Sequence, residues 1–419
     1  MNIKAPRGTF DILPGETPQW HHVEKTAREI AHLHGYMEIR TPVFEHTELF
    51  VRGIGEGTDI VQKEMYVFKD KKGRSMTLRP EGTATVVRAC LEHNLHAAGF
   101  VKLYYIGPFL RYERPQAGRY RQFHQFGIEA LGSSAPSLDA EVIEATHQFF
   151  SVLGLKDLHV EINSIGCREC RPAYRESLQK FLKGKAEELC DECGRRLEHN
   201  PLRILDCKNR QCREISQVAP SIFGFLCQDC RNHFGRLQSS LEAVKLPFTI
   251  NPLIVRGLDY YTKTVFEVIS QDLGAQDALC GGGRYDHLAE ELGGKALPAV
   301  GVAIGLERTL SIMNKLKLPF PPVKPLAVYL VALGEDADLP VQKLMVELRR
   351  KGFLAERDYQ GRSLKSQMKD AHGKNARCVL ILGSDELKTR SITFKDMVSG
   401  EQQAVPLPAV VEFIEKRLE

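Results

Sequence analysis

Several features that would settle the class of this chain at once are missing from it. No apolar run is long enough to cross a bilayer; the longest, such as 326–333 (LAVYLVAL), is strand-sized. The first ten residues, MNIKAPRGTF, hold no apolar core of the signal-peptide kind, so a cytoplasmic protein with no membrane partner is expected. Neither sign of charge dominates. A net charge of +4 is mild, and any surface for nucleic acid must therefore be local. No G-x-x-x-x-G-K-[ST] occurs, and the Gly-rich segments 279–286 and 299–310 do not fit G-x-G-x-x-G in a βαβ unit. A nucleotide, if one binds, is held by neither a P-loop nor a dinucleotide fold.

The 419 residues are enough for two or three domains, and 43% hydrophobic with 26% charged residues is ordinary for a globular chain. Thr17 reads as a helix cap with Pro18 at the first helical position, Trp20, Val23, Ala27, Ile30 and Ala31 at helical spacing, and Gly35 as the stop. Residues 37–45 read as a strand broken by Pro42. Residues 64–69 and 75–80 read as a hairpin, and 81–83 opens a helix through 91. Glu81 and Thr83 then stand at a strand-to-helix junction, facing a ligand or merely starting the helix.

Two strands, roughly 108–114 and 121–131, flank a loop with Pro115 and Gly118. They interleave Arg111, Arg114, Arg119 and Arg121 with Phe109, Tyr112, Tyr120, Phe123 and Phe126. Guanidiniums take phosphate bidentately and rings stack on a base, so a nucleotide site is favoured over a solvated basic face. Glu113 and Glu129, embedded there, support this. Residues 136–153 read as a helix, 158–163 as a strand and 237–244 as helical. The stretch 253–266 reads as a strand interrupted by Arg256, Asp259, Tyr260 and Tyr261, lining a pocket or forming an exposed edge. Residues 317–325, with four prolines, mark a linker. Beyond it the pattern 327–333, 340–351, 354–359, 364–372, 378–382, 391–395 and a last helix describes a small α/β domain rich in Lys and Arg.

Of eleven cysteines, eight fall in pairs: Cys167 and Cys170, Cys190 and Cys193, Cys207 and Cys212, Cys227 and Cys230. Such turns place thiolates for tetrahedral zinc. Two sites of four thiolates, or one zinc with four reduced thiols, accommodate them, and structural zinc is favoured over free buried thiols; a thioredoxin-like C-x-x-C would need a βαβ pattern that is not seen. Cys90, Cys280 and Cys378 read as small core residues.

Taken together, the segments resemble the class II aminoacyl-tRNA synthetases. Phe109-x-Arg111-x-Glu113 with Arg119-x-x-x-Phe123 is similar to motif 2, 301–308 (GVAIGLER) to motif 3, and the first helix with the Pro42 strand to motif 1, a dimer element. Residues 256–261 (RGLDYY) and 281–286 (GGGRYD) resemble the signatures particular to histidyl-tRNA synthetases. The resemblance implies a catalytic core at 1–165 and 245–318, an antiparallel sheet flanked by helices. It implies a helical Cys-rich insertion at 166–244, a linker at 319–325 and an α/β anticodon-binding domain at 326–419, in a homodimer. The Cys-rich insertion departs from the family pattern.

The implied reaction joins histidine to ATP as an adenylate, with Mg²⁺ on the outer phosphates, and then to histidine tRNA. By the motif match, Arg111 and Arg256 hold the α-phosphate. Arg119 and Arg308 hold the outer ones, and Glu113 and Phe123 receive adenine. Glu81, Thr83 and Gln125 take the α-amino group; Glu129 and Tyr261 take the imidazole nitrogens, with Tyr260 and Tyr285 around them. Arg114 and Gln116 meet the tRNA acceptor end. The alternative in another class is the non-catalytic relative that regulates the first enzyme of histidine biosynthesis, which generally lacks the last domain and these arginines.

Overall fold

The computed structural model describes residues 3–113, 119–270, 278–322 and 324–418. The chain divides into two compact units, Met1–Phe320 and Pro321–Glu419. In the first unit the strands are β1 (Met37–Glu38), β2 (Phe44–His46), β3 (Val67–Lys69), β4 (Ser75–Leu78), β5 (Val101–Leu110) and β6 (Gln122–Leu131). They are followed by β7 (His159–Ser164), β8 (Phe248–Ile250), β9 (Thr262–Ile269), β10 (Ala278–Arg284) and β11 (Ala299–Gly305). Eight of them form one sheet in the order β1-β5-β6-β11-β10-β9-β7-β8. It is antiparallel as expected, except that the outermost pairs, β1 with β5 and β7 with β8, are parallel.

Alternation along these strands divides the sheet into two chemistries. Phe126, Ile128 and Ala130 of β6, Val300, Val302 and Ile304 of β11, and Phe266 and Val268 of β9 point into one core. Helices Thr17–Leu33, Pro136–Val152, Gln228–Ala243 and Leu306–Lys315 pack on that side. The intervening residues face the other way, and they are where the site is built. Helix Thr17–Leu33 buries Trp20, Val23, Ala27, Ile30 and Ala31, as their spacing requires, and Gly35 follows it at φ +74°. Thr17 is itself helical rather than the cap; Glu16 occupies that position and its carboxylate accepts the Leu13 N–H at 3.1 Å.

Two expectations give way here. The single strand at 37–45 is two strands, β1 beside β5 and β2 in a separate three-stranded sheet β2-β4-β3. The stretch 253–266 is not a strand until Thr262. Before it, the Asn163 side-chain amide donates to the carbonyls of Pro252 (3.2 Å) and Ile254 (3.0 Å), so a side chain replaces a ladder partner.

The insertion is helical: Arg171–Lys183, Asp191–His199, Arg210–Gln217 and the start of Gln228–Ala243. Its core combines Tyr174, Leu178, Leu182, Leu197 and Ile215 with four buried cysteines, and Val255 of the signature segment joins it. The second unit holds β12 (Val328–Ala332), β13 (Ala355–Arg357), β14 (Cys378–Leu382), β15 (Ser391–Asp396) and β16 (Gln402–Pro406) in the order β13-β12-β14-β15-β16. β16 and a short helix Ser384–Thr389 were not legible in the sequence pattern. Cys90, Cys280 and Cys378 are buried, as core residues should be. Among the described residues, no helix is long and apolar enough to cross a membrane.

Candidate active site

The site face of the sheet is made of small residues with a few charged ones standing on it. Gly281 of β10 is paired with Glu267 of β9 and Ala303 of β11, and Gly301 of β11 with Glu129 of β6. A Cβ on Gly281 would stand 2.1 Å from Arg256 Nη2, and one on Gly301 would stand 1.8 Å from Glu129 Oε2. The glycines of these segments thus leave the volume that Arg256 and Glu129 occupy.

A cavity of about 300 Å³ opens on this face. Eleven of the residues singled out by sequence line it: Glu81, Thr83, Arg111, Glu113, Arg119, Phe123, Gln125, Arg256, Tyr260, Tyr261 and Arg308. Glu129 and Tyr285 lie beneath the lining. Glu129 is fully buried and accepts from Thr83 Oγ1 at 2.7 Å and from the Tyr285 hydroxyl. Tyr285 in turn stands edge-on to Tyr260, centroids 5.7 Å apart, and Tyr260 packs on Tyr261 at 4.7 Å. Burial pushes the Glu129 carboxyl up to about 8, against the pull of its two hydroxyl donors, with nearby Glu81 adding to the rise. Arg114 and Gln116, expected to meet the acceptor end, lie outside the described residues.

Glu81 does both things its position allowed. Its oxygens accept the N–H groups of Thr83 (2.6 Å) and Ala84 (2.9 Å) at the start of helix Thr83–Glu92. It also lines the cavity, and a carboxylate has lone pairs to spare for a ligand. Burial raises its proton affinity. Gln125 Oε1 is buried with no hydrogen-bond partner among the described residues, an acceptor in the lining of the same cavity.

The arginines cluster around Glu113, which lies 3.8 Å from Arg111 Nη1 and 3.3 Å from Arg119 Nη1. Arg111 also donates Nε to the Pro80 carbonyl (2.8 Å) and lies over the Phe123 ring at 5.4 Å. Arg308 donates to the Ala278 carbonyl at 2.7 Å. Its pKa is lowered by burial and then by the neighbouring Arg119, which marks a place where positive charge is crowded. Arg256 is paired with Glu267. Burial works most strongly against its charge, but Glu267 together with Tyr261 and further neighbours outweighs it, and the guanidinium stays charged.

Glu267 escaped the sequence reading because it sits in an ordinary alternating strand; only its pairing with Gly281 reveals its role. Glu307 also escaped it. Its carboxylate accepts the His124 N–H (2.9 Å) and so ties helix Leu306–Lys315 to β6. Tyr105 fills the space left by Gly82 and Gly127, where a Cβ on either would stand 2.2 Å from its ring. Conversely, two signature residues serve the frame rather than the cavity. Arg284, wholly buried, donates Nε to Asp139 (3.1 Å) and Nη1 to the Ser133 carbonyl (2.9 Å). Asp139 also accepts from His233 (2.8 Å) and Thr264 (2.6 Å), which locks helix Gln228–Ala243 to the sheet. Asp259 lies against Gly55 and Asn200, away from the lining.

The cysteines resolve into two quartets, Cys167, Cys170, Cys227, Cys230 and Cys190, Cys193, Cys207, Cys212, the sulfurs of each within 4.8 Å of one another. Four thiolates about 2.3 Å from one tetrahedral ion stand about 3.8 Å apart. The observed separations of 3.6 Å (Cys167–Cys170), 3.9 Å (Cys167–Cys227) and 3.9 Å (Cys190–Cys207) match that edge. Backbone N–H groups of Cys227 and Cys190 donate to Cys170 and Cys212 sulfurs at 3.1 and 3.3 Å, which suits thiolates.

Known proteins resemble this chain along its whole length. The sequence profile described as histidyl-tRNA synthetase matches residues 8–309, and that described as anticodon binding domain matches 327–417. A histidine–tRNA ligase of Moorella thermoacetica is 52% identical over 420 residues, covering 100% of this chain and 99% of the relative. One of Desulforamulus reducens is 51% identical over 418 residues, covering both chains completely. Among solved structures, the apo histidyl-tRNA synthetase of S. aureus superimposes with a TM-score of 0.82 at 38% identity, covering 99% of this chain and 100% of that one.

Proposed function

Because the chain belongs to the histidyl-tRNA synthetase family, ligating histidine to tRNA at the expense of ATP, we propose that the cavity described above is where both half-reactions run, with these residues in named roles. The regulatory alternative is not favoured: relatives of about 50% identity along the whole chain are ligases, and Arg111, Arg256, Arg308 and the second unit are all present. In the first step a carboxylate oxygen of histidine attacks the α-phosphorus of ATP. The bond to the β-phosphate oxygen breaks, leaving histidyl-adenylate and pyrophosphate. Two anions meet there, so fixed cations are the main need. Arg111 and Arg256 take the α-phosphate, Arg119 and Arg308 the outer ones, and Phe123 and Glu113 the adenine. Magnesium bound with ATP would neutralise charge on its outer phosphates. The carboxylate of Glu307, which lines the cavity next to Arg308, would hold such a cation. In the second step the terminal ribose hydroxyl of tRNA displaces AMP.

The observation that carries the histidine assignment is the buried polar chain Thr83–Glu129–Tyr285 together with the Gln125 Oε1 acceptor, which has no partner among the described residues. Glu129 and Tyr261 would read the two imidazole nitrogens, and Glu81, Thr83 and Gln125 the ammonium. Histidine-dependent exchange of labelled pyrophosphate into ATP tests it, since it needs no tRNA. Gln125→Ala should raise the KM for histidine about tenfold, the worth of one charge-assisted hydrogen bond, and leave that for ATP within twofold. Equal rises in both would remove Gln125 from the amino-acid side.

Residues 1–165 and 245–318 would form the catalytic core, 166–244 the insertion, 319–325 the linker and 326–419 the anticodon-binding domain. A homodimer is supported by the apolar residues left open near the motif 1 segment, Met37, Val43, Phe44, Val67 and Phe68. The compartment would be the cytoplasm, where tRNA is charged. Each cysteine quartet would hold one structural zinc, tying the two ends of the insertion together and, separately, its middle. Protein purified without chelator should carry two zinc ions per chain by elemental analysis, and their removal should lower the melting temperature. Fewer than one ion per chain defeats the zinc assignment.

A further inference from the structure

Two residues of the insertion reach the catalytic cavity: Asp206 and Lys208 line it from either side of Cys207. The turn that carries them is held from several directions. Cys207 donates its N–H to the Ile204 carbonyl (3.1 Å), and its sulfur accepts the Asn209 N–H at 3.4 Å. Asn209 Oδ1 caps helix Arg210–Gln217, accepting from Gln211 (3.0 Å) and from Cys212 (3.4 Å), itself a member of the same quartet. Upstream, the same segment is seated on the signature loop. A Cβ on Gly257 would stand 3.3 Å from Arg203 Nη1, and the Asn200 side-chain amide reaches Asp259 at 3.5 Å. The cysteine quartet, the 200–208 segment and the loop bearing Arg256 are therefore one continuous contact.

Lys208 Nζ lies 3.2 Å from Asp206 Oδ1, and its side chain is 68% exposed, so the ammonium is reachable from the cavity. Asp206 also stands 3.9 Å from Arg203. The proton affinity of Glu267, raised first by burial and lowered by Arg256, is raised in turn by Asp206 and lowered by Lys208. The Asp206–Lys208 pair therefore acts on the carboxylate that holds Arg256. We propose that the Cys190–Cys193–Cys207–Cys212 metal site is a scaffold for the catalytic cavity: by fixing Cys207 it holds Lys208 at the cavity wall, where Nζ binds a phosphate oxygen of ATP. An ammonium on a four-carbon stem suits this role, because it meets phosphate as a point charge and needs no bidentate geometry. Asp206 keeps it in place until the nucleotide arrives. The proposal rests on the ATP assignment of the cavity and adds to it a residue from outside the class motifs.

The test uses the zinc-loaded full chain, with two measurements: pyrophosphate exchange at varied ATP, and calorimetric binding of Mg²⁺–ATP without histidine. Lys208→Ala should weaken ATP by both measures about five- to tenfold, as for one charge-assisted contact at an exposed site, with the KM for histidine within twofold. Lys208→Arg should recover most of that loss, and Lys208→Glu should exceed it. Cys207→Ser should reduce bound zinc from two ions to one and weaken ATP as Lys208→Ala does. The double variant should be no worse than either alone, because both act on the same contact. ATP affinity unchanged in Lys208→Ala and Lys208→Glu overturns the phosphate contact. A folded Cys207→Ser that loses one zinc yet binds ATP as the parent does overturns the scaffold. If Cys207→Ser does not fold, the two lysine variants decide. Absence of histidine-dependent exchange in the parent chain would instead strike the underlying assignment of the cavity.

Discussion

Arg256→His should slow histidine-dependent pyrophosphate exchange by about 10²–10³-fold, roughly 3–4 kcal/mol of lost transition-state stabilisation, while histidine affinity stays within twofold. Arg256 is the charge that the sheet is cut away to admit: Gly281 leaves the space and Glu267 holds the guanidinium in it. That pairing, together with Tyr261 and further neighbours, keeps Arg256 charged despite its burial. Charge on the α-phosphate grows only as the carboxylate closes on it, so the benefit is concentrated in the transition state and appears in kcat. Histidine is chosen as the replacement because it stays polar and lets Glu267, whose burial already raises its proton affinity, take up a proton instead of standing unpaired. Exchange kinetics and calorimetric histidine binding on the same preparation check this. Parallel losses in both would mean that Arg256 supports the loop and does not stabilise charge.

How far the sequence reached can be traced along this same loop. Arg256, Tyr260 and Tyr261 were legible as a polar interruption, and all three line the cavity. The backbone beneath them was not, because β-branched and aromatic residues mimic a strand where Asn163 and not a neighbouring strand satisfies the carbonyls. Glu267 was hidden for the opposite reason. It obeys the alternation of β9 perfectly, and its meaning comes only from the strand laid beside it. Pairing of the cysteines was equally out of reach, since spacing alone admits several partitions; the fold nests Cys190–Cys212 inside Cys167–Cys230. Arg284 shows the converse limit. A signature places a residue near the chemistry without saying whether it touches substrate, and this one serves Asp139. Local pattern thus carried the parts whose role depends on their own neighbours, and failed where a role depends on contacts distant in sequence.

Glu129→Gln should weaken histidine about a hundredfold or more, the loss expected when a buried charged partner of a ligand hydrogen bond is removed. The pH dependence should change with it. In the free chain Glu129 holds its proton up to about 8, and free imidazole loses its own near 6.5. Between those limits one proton is shared by carboxyl and ring, whichever side brings it. Binding therefore neither takes up nor releases a proton at this pair. Above about 8 a proton must be taken up, so affinity falls with pH; below about 6.5 one must be released, and affinity falls again. The histidine ammonium adds an alkaline limb of its own in both proteins, so the signal is the steeper limb of the parent relative to Glu129→Gln, read by calorimetry from pH 6 to 9.5. Identical limbs would place the titrating proton elsewhere. Folding gives an independent sign. Glu129 keeps in the native state a proton that the unfolded chain gives up above its ordinary carboxyl range. Its stabilising contribution is thus complete at low pH and lost as pH rises toward 8. Glutamine carries no such penalty, so the melting temperature of Glu129→Gln relative to the parent should be higher at pH 8 than at pH 5. A constant difference would show that the buried carboxyl is ionised throughout, held so by Thr83 and Tyr285.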